Sequence, residues 1–144
     1  MEIAPSNLES DRSETLSGLE AAVAFEEFVL AETLSASLAI RSARDPRFQA
    51  LRGRVLLVRS DYLGAISLFH SAIGNGENSV DTRLWLSDAL QKLGRDVDAL
   101  AVLYEGLELF PSNFELNFEL GCLAVAHGEP EGAISYLQDR KSVV

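Results

Sequence analysis

Residues 80–113 read VDTRLWLSDALQKLGRDVDALAVLYEGLELFPSN. Leu84, Leu86, Ala89, Leu90 and Leu93 fall at helical spacing and predict an amphipathic helix over 80–93. Gly94 ends it, because glycine enters the left-handed conformation of a helix C-terminus without steric penalty. Asp96 is placed to cap a second helix, whose apolar stripe is Ala99, Leu100, Leu103, Leu107 and Leu109. Pro111 closes the unit, since the residue before a proline is pushed out of the helical region.

The unit recurs. Ala65, Ala99 and Ala133 stand 34 apart (99−65 and 133−99). The same interval links Gly53, Ser87 and Gly121, then Phe69, Leu103 and Leu137, then Gly94 and Gly128. Each alanine is followed by an aliphatic residue: Ile66, Leu100 or Ile134. A fixed period of this size marks an array of helical units that bury their faces against one another.

Residues 46–144 resemble the tetratricopeptide repeat, whose pattern is W-x2-L-G-x2-Y, then A-x3-F, then P. In the central unit Leu86, Ala99 and Pro111 match, Leu90 and Leu103 stand at aromatic places, Arg83 takes the Trp place and Ser87 the Gly place. Gly53, Ala65 and Phe69 match in the preceding unit, where Arg52 replaces a leucine. Leu120, Gly121 and Ala133 match in the following one. The resemblance implies an all-α right-handed superhelix of about three helix pairs, with repeats near 46–79, 80–113 and 114–144. The helices are expected at 46–59, 62–74, 80–93, 96–109, 114–127 and 130–141.

Residues 1–13 are polar and acidic and read as a mobile tail. Residues 14–45 form an N-terminal helical segment with a stripe of Leu16, Leu19, Val23, Leu30, Leu34 and Leu38. Two readings are open: one long helix, or two helices of a divergent repeat, with Ala31 one period before Ala65. The second is preferred, although Phe25, Glu26 and Glu27 stand at its turn in place of glycine. Asp45-Pro46 and Ser60-Asp61-Tyr62 punctuate the next repeat. Ser79 or Asp81, and then Ser112 or Asn113, supply the later caps.

A chain of 144 residues is one domain by length, and 47% hydrophobic residues can supply its core. The net charge of −10 argues against nucleic acid and against an anionic membrane surface as partners. A solvated exterior is its simplest meaning. Cys122, without a second cysteine, forms no internal disulfide and fits a reducing, cytoplasmic setting; its apolar helix predicts a buried thiol. The N-terminal MEIAPSNLESDRSETL lacks the pattern of a signal peptide, and no stretch reaches the length of a membrane span.

An enzyme is not expected. Only His70 and His127 are histidines, and no zinc, nucleophile-elbow or phosphate-loop motif is present, so neither metal nor cofactor is expected. Six arginines crowd between 41 and 59: Arg41, Arg44, Arg47, Arg52, Arg54 and Arg59. They either receive an acidic peptide or pair with the chain's own acidic segment at 9–32. The second is preferred, because those carboxylates are near at hand.

The resemblance implies a non-catalytic scaffold or adaptor whose first helices line a concave groove for a partner's peptide or helix. By the family pattern the groove places include Arg47, Arg54, Leu57, Trp85, Asp88, Gln91, Phe118 and Val125, beside Ala50, Leu84 and Cys122. The set lacks the lysine and asparagine with which the family grips C-terminal carboxylates, which disfavours a co-chaperone of the heat-shock type. Trp85 and Phe118 are candidate anchors, since hot spots favour large aromatics. Two alternatives stand beside the adaptor: a small chaperone resembling those of type III secretion, and a self-assembling structural protein. Ile134 and Leu137 leave an apolar C-terminal end, expected to bind a second copy or further repeats of a longer array.

Overall fold

The computed structural model describes residues 16–126, which are helical with short connections. The helices are α1 over 16–24, α2 (Phe28–Ser42), α3 (Pro46–Val58), α4 (Tyr62–Gly74), α5 (Val80–Lys92), α6 (Asp96–Leu109) and α7 (Phe114–Ala126). No strand occurs among the described residues. The chain divides into two compact units between Asn78 and Ser79. The first holds α1 to α4 and the second α5 to α7. From α3 to α6 the helices begin and end within a residue of their expected bounds, and α7 begins where expected. The expected tail at 1–13 and the expected helix at 130–141, with Ile134 and Leu137, lie outside the described residues.

The period has a physical basis in each unit. Ala31, Ala65 and Ala99 are all fully buried. A methyl group at this place lets the second helix of a pair lie close against its neighbours. A second register position shows how tight the fit is. A Cβ on Gly53 would lie 2.6 Å from the Phe69 ring, so the aromatic side chain of α4 occupies the space a side chain of α3 would need. Both residues are buried, and α3 packs directly on α4. One period later the same two places hold Ser87 and Leu103, and one period earlier Leu19 and Ser35, all buried. Where one place is large, the other is small, which is how a close-packed interior keeps its volume.

The turn inside each pair repeats too. Glu26 (φ 59°), Ser60 (φ 65°) and Gly94 (φ 73°) are left-handed and stand one period apart. At each, the next amide reaches back to the last helical turn: Glu27 N donates to Ala22 O (2.8 Å), Asp61 N to Leu56 O (2.9 Å) and Arg95 N to Leu90 O (2.9 Å). This is the Schellman ending, which satisfies carbonyls left unpaired at a helix C-terminus. So the segment 16–42 is two helices, and Glu26 does the work that glycine does at 94. The buried side of α2 is Ala31, Ser35, Leu38 and Ser42, and Leu30 of the expected stripe is 46% exposed. The 34-residue register, rather than the leucine spacing, sets which face turns inward.

Side-chain caps fix the other ends. Asp45 accepts from Arg47 N and Phe48 N, Asp61 from Gly64 N, Ser79 from Thr82 N and Asn113 from Leu116 N. Asp96 does not cap α6 as expected. It is the first helical residue, the cap position belongs to Arg95, and no side chain bonds there. Asp96 and Asp98 instead place negative charge in the first turn, where the helix dipole favours it.

Two stability outcomes follow from this packing. Gly53→Ser should overpack the Phe69 contact and cost roughly 1–3 kcal/mol, while Gly53→Ser with Phe69→Leu, the combination found at 87 and 103, should recover much of the loss; urea midpoints of the three proteins check it. Ser60→Gly should stabilise by about 0.5–1 kcal/mol, because relief of a left-handed serine outweighs the added freedom of glycine in the unfolded chain. An unchanged or lower thermal midpoint would contradict it.

Candidate functional site

In the second unit α5 and α7 border a cleft of about 220 Å³. Leu84, Trp85 and Asp88 line it from α5, and Phe114, Glu115, Phe118 and Glu119 from α7. The spacing on each helix is that of one face, with residues one turn apart side by side. Leu116 and Leu123, on the opposite side of α7, are buried and hold the helix down. Gly106 of α6 makes that seat close: a Cβ there would lie 3.2 Å from Leu116 and 3.1 Å from the Arg83 side chain. Arg83, at the family's Trp place, is buried and pairs with Glu105 (3.5 Å).

With α7 anchored from behind, its aromatic residues face solvent. Phe114 is 77% and Phe118 56% exposed, and their rings stack with centroids 5.9 Å apart and planes 20° from parallel. Phe118 also begins an apolar strip that runs along α7 through Cys122 to Val125, itself 71% exposed. Cys122 is therefore exposed and not the buried thiol expected from its apolar setting. The helix is apolar on more than one side, and Leu116 and Leu123 take the inner one.

Of the expected groove residues, Leu84, Trp85, Asp88 and Phe118 meet in this cleft, and Cys122 and Val125 lie on the strip that continues it. Gln91 is half-buried and donates to Ser87 Oγ (3.0 Å). Arg47, Arg54 and Leu57 belong to the first unit. Leu57 is 5% exposed and offers almost no surface. Arg54 lies over the Phe28 ring, its guanidinium carbon 5.8 Å from the centroid. Arg47 pairs with Glu20 (3.0 Å) and Glu77 (3.7 Å), and Arg59 pairs with Glu32. Glu20 and Glu32 belong to the chain's own acidic segment, so these two arginines are met by internal carboxylates. Phe114, Glu115 and Glu119 were not legible as site residues by the family pattern. The register held a sign, because Glu119 stands one period after Trp85 (119−85=34).

Helix pairs that share one register, one closing turn and one small-residue contact define a known architecture. The fold is that of a tetratricopeptide repeat (TPR) domain. The Arabidopsis OM64 TPR domain superposes with a TM-score of 0.70 at 17% identity, over 79% of this chain and 94% of that one. No family model matches the sequence, and no curated protein matches it. In the TPR arrangement α5 and α7 are the first helices of successive pairs. Among the described residues no group of His, Cys, Asp and Glu could hold a metal ion, and no helix is long and apolar enough to cross a membrane.

Truncating the two sides of α7 should separate packing from surface. Leu116→Ala should cost about 2–5 kcal/mol of unfolding free energy, as buried leucines do. Phe118→Ala should change it by about 0.5 kcal/mol or less. Denaturant titrations of both variants check the difference.

Proposed function

We propose that this chain is a non-catalytic protein-interaction module, an adaptor that holds a peptide or helical segment of a partner protein against α5 and α7. The observation that carries this reading is the stacked, solvent-facing Phe114–Phe118 pair opposite Trp85. Large aromatic rings left at the surface of a firmly seated helix cost solvation and contribute little to folding. They are the side chains from which binding hot spots are made. The TPR fold supports the same reading, since its first helices present a continuous lining to a partner. A protein or peptide is the partner class that such a lining suits, and the acidic composition speaks against nucleic acid. The single free thiol, exposed on α7, suits a reducing compartment such as the cytoplasm.

Selection from a peptide library displayed on phage tests the reading. Peptides enriched on the wild type should bind Phe118→Ala about thirtyfold more weakly, the loss expected of a hot spot, with the thermal midpoint of the variant unchanged. Equal affinity for wild type, Phe118→Ala and Trp85→Ala would show that the cleft is not the binding site.

A further inference from the structure

The cleft between α5 and α7 combines two features that point to one kind of occupant. Its lining is aromatic, with Trp85, Phe114 and Phe118, and its charged groups among the described residues are all carboxylates: Asp88, Glu115 and Glu119. Among the described residues no lysine, arginine or histidine lines it. None of these carboxylates has an ion-pair or hydrogen-bond partner among the described residues, although elsewhere in the protein Glu20, Glu32, Glu77 and Glu105 are all paired with arginines. Glu115 and Glu119 stand one turn apart on α7, a like-charge spacing that disfavours the helix unless a cation lies between them. Ring faces attract cations electrostatically, and carboxylates accept a guanidinium through paired hydrogen bonds. The protein uses the first of these contacts itself, where Arg54 covers Phe28.

Resting on the reading of this cleft as a protein-binding site, we infer that it selects a basic amphipathic segment, with an arginine or lysine of the partner seated over Phe118 and facing Asp88, Glu115 and Glu119. The stem of such a side chain is apolar and suits the rings, while its head remains charged and near water. An aliphatic residue about one helical turn away on the partner meets the strip from Phe118 to Val125. An acidic segment brings like charge into the cleft, and a neutral one leaves the carboxylates without a counter-charge. The net charge of −10 adds attraction at longer range, which speeds encounter with basic segments without fixing where they bind.

The test uses three capped helical peptides of leucine and alanine that differ only at two central positions, holding arginine, citrulline or glutamate. Binding is followed through the emission of Trp85, the only tryptophan in the chain. The arginine peptide should bind about tenfold more tightly than the citrulline peptide at low salt, and the ratio should shrink as salt rises. The triple variant Asp88→Asn, Glu115→Gln, Glu119→Gln should abolish the ratio, with its thermal midpoint showing that it is folded. A control variant, Glu26→Gln, Glu27→Gln, Glu108→Gln, should keep it. Equal affinity for arginine and citrulline peptides, with Phe118→Ala still weakening both, would overturn the charge selection and leave the binding cleft standing. Loss of the ratio in the control variant would reduce the preference to net charge and overturn it as well. If no peptide changes Trp85 emission or binds at all, the cleft reading falls, and this inference with it.

Discussion

The closeness of two paired helices is the constraint on which the rest of this structure depends. It is set at two places in each of the three helix pairs described in full, a buried alanine and a pair of side chains whose sizes complement each other. At Gly53 and Phe69 the complement is complete, with no side chain on one helix and a full aromatic ring on the other. Burying a ring of this size is among the larger single contributions to a small core. The contribution is available only because the opposing helix yields the space. The left-handed turns at 26, 60 and 94 then follow, since helices this close need a short, sharp connection with its carbonyls satisfied.

The exposed aromatic face of α7 grows out of the same constraint. Gly106 lets Leu116 approach α6, and Leu123 is buried with it, so one side of α7 is committed to the core. A helix has a fixed angular relation between its faces. Once Leu116 points inward, Phe114 and Phe118 are turned toward α5 and solvent, with Glu115 and Glu119 beside them. The site is thus positioned by packing behind it. Its own residues, turned to solvent, are free to serve the proposed recognition.

Much of the fold was legible in the sequence because a period is a collective signal. Ala65 and Ala99 say little singly, but at one interval with Gly53, Ser87, Phe69 and Leu103 they fix both the helices and their pairing. Local chemistry was less legible. Ser60 and Glu26 take a conformation that serine and glutamate seldom announce, because tertiary packing imposes it at a cost of order 1–3 kcal/mol. Asp96 looks like a cap and is already inside its helix. Cys122 and Leu30 look buried by composition and lie outside, because on helices with apolar residues on several sides the neighbouring helix decides which side is covered. Of the site, Leu84, Trp85, Asp88 and Phe118 could be named from the family pattern. The two glutamates of α7 were not, although Glu119 stands one period after Trp85, since a surface carboxylate by itself carries no mark of what it stands beside.

The alternation of sizes between paired helices bears on how such chains can be rearranged. Leu19 with Ser35, Gly53 with Phe69 and Ser87 with Leu103 are three solutions of one spatial problem, and they are not interchangeable by halves. A recombination that joined α1, carrying Leu19, to α4, carrying Phe69, would set two bulky partners into room for one. Breakpoints inside a pair are therefore disfavoured, while breakpoints between pairs leave each fit intact. The heritable module is the hairpin of two helices, and duplication or loss of segments in proteins built this way is expected to respect its boundaries.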